Sequence, residues 1–175
     1  MKRYLETGKI VGTHGVGGEM RVEPWCDSPQ FLKELKHLYL EEGGDPLPIQ
    51  SRRVHKSMLL LTVTGVNSID EAEQLRGRIL YLDREEVRLP RGVFFIQDLL
   101  GLDVIDHETG KNYGIVKNVI ATGANDVYEI VNAAGDSFLF PAVDAMIEER
   151  NPAAGWIRVR PIPGIFDGEA VSDAD

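Results

Sequence analysis

The feature that most limits how this chain can fold is its punctuation. Short stretches in which apolar and polar side chains alternate are cut again and again by Gly, Asn, Asp or Pro. Alternation with a period of two places one face of a strand on a core and the other in water, and frequent turn residues point to hairpins rather than to strand–helix–strand units. In the segment 19–25, Met20 and Val22 alternate with Arg21 and Glu23. The expected class is therefore all-β: two small β-barrels, with one short helix in the first. Strands are expected at 9–13, 19–25, 37–42, 48–55, 58–64 and 78–82 in the first half. In the second half they are expected at 101–106, 113–122, 127–132, 137–140 and 155–159.

The short helix is expected at 68–76. Ser68 and Glu71 stand three apart as a capping box, Asp70 and Glu71 suit the positive end of the helix dipole, and Gly77 can close it in a left-handed conformation. A briefer helical turn is expected at 30–35, after Asp27, Ser28 and Pro29. Charged residues followed by Pro90, Arg91 and Gly92 mark a linker, so the expected layout is a first barrel at 1–83, a linker at 84–92, a second barrel at 93–167 and a disordered acidic tail at 168–175.

Several function classes are set aside by composition. Cys26 is the only cysteine, which excludes an internal disulfide and a cysteine-based zinc cluster. His14, His37, His55 and His107 form no paired ligand motif, and no metal or cofactor is expected. The basic start Met1-Lys2-Arg3 runs into Tyr4, Leu5, Glu6 and Thr7 without an apolar stretch, and the longest apolar run, Met58 to Leu61, is far short of a membrane span. The protein is expected to be cytoplasmic and monomeric, with no membrane association.

The glycines at 8, 12, 15, 17 and 18 invite a phosphate-loop reading, which fails on spacing. Gly12 and Gly17 have the right interval, but Gly18-Glu19 stands where a phosphate loop needs Lys and then Ser or Thr. The dinucleotide pattern fails because Met20 takes the place of its third glycine. Gly12, Gly15 and Gly18 are expected instead to shape a tight turn between two strands, and Gly123, Asn125 and Asp126 a second one.

Charge is unevenly distributed. Residues 1–90 hold 13 Lys and Arg against 14 Asp and Glu, whereas residues 91–175 hold 6 against 14. The acidic half repels phosphate and suits a basic protein, or else serves solubility. In the first half, the run Arg52 to Lys56 puts Arg53 and His55 on one strand face and Arg52 and Val54 on the other. With Arg21, the residues Arg52, Arg53 and Lys56 could meet RNA phosphates, or simply form a solvated face. Phe94 and Phe95, just before Asp98 and Leu99, are either an aromatic anchor for a partner or core residues of the second barrel.

Segments 8–22, 55–82, 94–104, 123–131 and 140–147 together resemble the RimM family of 16S rRNA-processing and ribosome-maturation factors. The resemblance carries the glycine-rich opening, the capped helix and the Gly123-Ala124-Asn125-Asp126 turn in the family's order. It implies a six-stranded translation-factor-like barrel followed by a PRC-barrel, and a non-enzymatic role in assembling the 30S subunit. The implied partners are the free 30S subunit, ribosomal protein number nineteen of the small subunit, and the head region of 16S rRNA. The protein partner would be bound through Phe94, Phe95, Asp98 and Leu99. These phenylalanines stand where the family usually has a tyrosine pair, which keeps the rings and lacks the hydroxyls. The rival readings are a generic PRC-barrel adaptor and a small hydrolase with its site between the barrels.

Overall fold

The structure is a computed structural model, and it describes residues 1–26, 28–122 and 124–166. Gly123, the acidic tail at 168–175 and the Asp27 helix start lie outside the described residues. The chain divides into two compact units, one from Lys2 to Arg88 and one from Leu89 onward, each built on a single sheet.

The first unit contains β1 (Tyr4–His14), β2 (Glu19–Pro24), α1 (Pro29–Glu34), β3 (Ile49–His55), β4 (Met58–Val63), α2 (Ile69–Glu73) and β5 (Ile79–Asp83), followed by a 3-10 turn at Arg84–Glu86. Its strands lie in the order β3-β4-β2-β1-β5, with all neighbours antiparallel. Leu59, Leu60 and Leu61 of β4 are all fully buried. Such a run is what a strand covered on both faces requires. Ile10, Met20, Val22, Leu38 and Leu80 complete this core.

The expected strand at 37–42 is reduced to isolated bridges at Tyr39, which exchanges backbone hydrogen bonds of 2.9 and 2.8 Å with Tyr81 and also bridges Pro46. Its apolar pattern is real, since Leu38 and Tyr39 are buried. The segment covers the edge of β5 without extending far enough to form a ladder.

The first unit has two short α-helices, α2 within the expected 68–76 and α1 where the briefer helical turn at 30–35 was expected. Ser28 caps α1 by accepting from the Phe31 N–H at 3.1 Å, and Ser68 caps α2 by accepting from the Glu71 N–H at 3.2 Å. Glu71 reaches back to the Asn67 N–H at 2.7 Å, one residue outside the usual capping box. Only Ala72 of α2 is buried, so the helix stops at Glu73 instead of running to Arg76.

The second unit contains α3 (Ile96–Leu99), β6 (Asp103–Asp106), β7 (Asn112–Ile120), β8 (Val127–Val131), β9 (Ser137–Pro141), β10 (Ile147–Asn151) and β11 (Trp156–Val159). The order is β10-β11-β6-β7-β8-β9, with β11 parallel to β6 and the other pairs antiparallel. This is six strands where five were expected. The extra one, β10, has the sequence Ile-Glu-Glu-Arg-Asn and buries only Ile147. An edge strand with so little buried has no alternation to betray it. The helical turn α3 was also not expected. The core gathers Leu99, Val104, Val116, Tyr128, Ile130, Phe140 and Ile157.

The glycine-rich opening divides into separate roles. Gly12 lies within β1, at a register shift against β2, while Gly15 and Gly18 hold positive φ angles of 70° and 87° in the connecting turn. A Cβ at Gly18 would sit 2.5 Å from the Val66 carbonyl oxygen, whereas one at Gly15 would meet nothing. Gly18→Ala should therefore cost about 3 kcal/mol or more, from backbone strain plus collision, and Gly15→Ala about 1 kcal/mol from strain alone. Denaturant unfolding of the two variants checks this, and equal losses would contradict the close approach to Val66.

Candidate nucleic-acid and protein interfaces

Two sites were expected, one in each unit. The four cations proposed for RNA are not equivalent once the sheet is assembled. Alternation along β3 sends Arg52 to the inner side, where its Nη1 donates to the Leu35 carbonyl at the end of α1. That hydrogen bond ties the end of the helix to the sheet and engages one arm of the guanidinium. Lys56 lies in the two-residue turn between β3 and β4, and is the one non-glycine among the described residues with positive φ, at 56°. It is exposed at the hairpin tip.

Arg21 and Arg53 come together through register. Arg21 of β2 and Arg53 of β3 are both paired with Leu60 of β4, one from each side. Directly opposed residues share a sheet face, so the two arginines stand on the same surface, two strand spacings or about 9.6 Å apart. Gly12 is paired with Arg21 on the far side and extends the row. A Cβ at Gly12 would be 2.8 Å from Arg21 Nη2, so the bare glycine lets the guanidinium lie against β1.

Arg53, by contrast, is engaged. Its Nε and Nη2 donate to Glu19 Oε2 and Oε1 at 3.2 and 2.9 Å, a two-pronged pairing. The Nδ1 of His14 lies 2.8 Å from the same Glu19 Oε1, and the His14 and His55 rings are 5.6 Å apart. The Arg53 hydrogen bonds hold the Glu19 carboxyl below its ordinary value, against the opposing effect of burial and with help from His14.

In the second unit, Phe94 and Phe95 are both half-buried, in the segment that leads into α3. Phe94 packs against the core, and the Arg150 guanidinium lies 5.7 Å from its ring centroid. Arg150 Nε also donates to the Tyr128 hydroxyl at 2.9 Å. Burial pushes that hydroxyl above its ordinary pKa, and Arg150 works in the other direction. Leu99 is only 4% exposed and belongs to the core, whereas Asp98 is half-buried. Asn125 and Asp126 are exposed; the Asn125 N–H donates to Thr122 Oγ1 at 3.2 Å, and the Asp126 carbonyl accepts from the Ala142 N–H at 2.8 Å.

The acidic character of this unit is reinforced by where its cations go. Lys117, Arg158 and Arg160 lie 3.9, 3.9 and 3.2 Å from Glu129, Glu149 and Glu148, and Arg158 also covers the Trp156 ring at 4.3 Å. No group of three or more His, Cys, Asp or Glu side chains suited to a metal ion occurs among the described residues.

The RimM N-terminal domain family matches residues 5–87, and the RimM PRC barrel domain family matches residues 96–165. The chain belongs to the RimM family. Among curated relatives, the ribosome maturation factor RimM of Ruminiclostridium cellulolyticum is 36% identical over 95% of this chain and 100% of its own length. That of Caldicellulosiruptor bescii is 35% identical over the same shares. The crystal structure of the Pseudomonas aeruginosa RimM protein, 26% identical, covers 89% of this chain and 96% of its own, with a TM-score of 0.44. The assignment rests on the sequence matches, and it places the chain in ribosome maturation. No helix among the described residues is long and apolar enough to cross a membrane.

Sequence reasoning did not find Glu19 as Arg53's partner, nor Arg150 as the cation over Phe94. Both pairings join segments far apart in sequence, and nothing local announces them. The Glu19 pairing has a direct consequence. A carboxyl whose folded pKa is lowered contributes stability above its ordinary value of 4.5, and that contribution is lost as pH falls through the folded value. Arg53→Ala should move the Glu19 midpoint up toward 4.5 in a carboxyl-observed NMR titration; an unmoved midpoint would show that the guanidinium does not hold it.

Proposed function

We propose that this RimM-family chain is a non-enzymatic assembly factor for the small ribosomal subunit with labour divided between its units. The second unit binds a basic ribosomal protein, number nineteen of the small subunit, and the first contacts the head region of 16S rRNA. The protein docks on the free 30S subunit, keeps the two in a competent arrangement, and leaves when the site is mature.

The observation that carries this reading is the separation of charge. Residues 91–175 hold 14 acidic side chains against 6 basic ones. Three of those basic side chains are within 4 Å of the unit's own glutamates. What this unit presents to a partner is therefore negative, which favours a basic protein and disfavours RNA. The first unit is close to neutral, with 13 basic and 14 acidic residues in 1–90, and it keeps Arg21 and Lys56 exposed.

The half-buried rings at 94 and 95 supply the apolar anchor that charge alone lacks. Their contributions should separate. Phe94 packs on the core, so Phe94→Ala should cost about 2 kcal/mol of stability as well as affinity. Phe95→Ala should weaken binding to purified ribosomal protein nineteen about tenfold, as loss of a moderate hot spot does, with a smaller loss of thermal stability than Phe94→Ala. Calorimetric titration with the full chain measures both variants. Unchanged affinity for Phe95→Ala would remove the aromatic segment from the interface.

A further inference from the structure

The arrangement around Arg53 goes beyond a surface ion pair. A planar guanidinium offers its fork to a carboxylate or to a phosphate with the same geometry. Here Glu19 fills that fork, and His14 Nδ1 is 2.8 Å from the oxygen nearest to Arg53 Nη2. The same sheet face carries Arg21, in register with Arg53 across Leu60, and Arg21 makes no ion pair among the described residues. One face thus holds two equivalent cations, one available and one covered by the chain's own anion.

We infer that the row formed by Gly12, Arg21 and Arg53, lying over the buried Leu60, is a phosphate-binding strip on which the Glu19 carboxylate occupies an RNA phosphate's place at Arg53. RNA then gains its first contacts from Arg21 and from Lys56 at the hairpin tip. Arg53 joins only when a phosphate displaces Glu19, which swings away on its own side chain without any change in the backbone ladder. The device keeps the first unit weak toward RNA at large and reserves its full set of contacts for a backbone shaped to reach both arginines. This inference rests on the RNA reading of the first unit proposed above.

The test uses the full chain, with a transcript of the 16S rRNA head region to establish binding and an RNA of unrelated sequence, toward which Arg53 stays covered, to compare the variants across a series of salt concentrations. Each phosphate newly neutralised steepens the slope of log affinity against log salt by about 0.7 to 0.9. Glu19→Gln should therefore bind about two- to fivefold tighter, the range expected when a partly exposed ion pair stops competing, with a slope steeper by about that amount. Arg53→Ala in the natural background should change the slope little. The double variant Glu19→Gln/Arg53→Ala should return to the natural slope.

That return separates release of Arg53 from the general effect of removing a negative charge, which would survive in the double variant. Thermal melts accompany each variant, and Glu19→Ala provides a second removal of the carboxylate should Glu19→Gln melt early. Unchanged binding by both Glu19 variants, or a gain that persists without Arg53, overturns the inference. If Arg21→Ala weakens binding while the Glu19 variants do nothing, only this inference falls. If the natural chain fails to bind the transcript, the RNA reading falls with it.

Discussion

The first unit depends on one strand that has no exposed side. Because Leu59, Leu60 and Leu61 are fully buried, β4 needs cover on both faces and a hydrogen-bonded neighbour along each edge. The neighbours are β2 and β3, and their registers are tied to β4: a slip of one residue would turn Met20 and Val22 outward and Arg21 inward. Packing thus settles where the charges stand. Arg21 and Arg53 share a face because each is opposed to Leu60, and Arg52 is kept from it because it is opposed to Leu61, which faces the other way with Met20. The surface assigned to RNA is in this sense a by-product of the core beneath it.

The second unit solves a different problem. Its sheet carries an excess of carboxylates, and several of its cations are held by its own glutamates or aromatic rings. Asp106 illustrates how some of the negative charge is stabilised. The Tyr113 hydroxyl donates to it at 2.7 Å, the Thr109 and Glu108 N–H groups donate as well, and its pKa is lowered to about 2. Its contribution to stability is present above its ordinary value of 3.8 and fades only as pH falls toward 2. The negative charge of Asp106 is therefore retained well into acid.

The all-β class and most strands were legible in the sequence because period-two alternation and turn residues are local signals. The caps at Ser28 and Ser68 were legible for the same reason. What was not legible depends on length or on pairing. The segment around Tyr39 has a strand's apolar pattern but stops at a bridge, and β10 is a strand whose edge position leaves only Ile147 to bury. In the candidate sites, alternation correctly put Arg52 and Arg53 on opposite faces. It could not say that Glu19 lies diagonally across β4 from Arg53, which is set by register between strands far apart in sequence, or that Arg150 of β10 approaches Phe94, which is set by where the segment before α3 meets the sheet. Gly12 shows the same limit: within one chain segment it looks like a turn glycine, and only the β1–β2 pairing reveals it as the bed for Arg21.

The central claim is the division of labour between a unit that meets RNA and a unit that meets a basic protein. Cross-linking on free small subunits, with the attachment sites read by mass spectrometry, tests it most directly. Ultraviolet cross-links to 16S rRNA should fall in peptides spanning residues 19–25 and 53–58, and amine-to-carboxylate cross-links to ribosomal protein nineteen should fall in the segment beyond residue 91. RNA cross-links concentrated in the acidic second unit, with the face of Arg21 and Arg53 left untouched, would contradict the account.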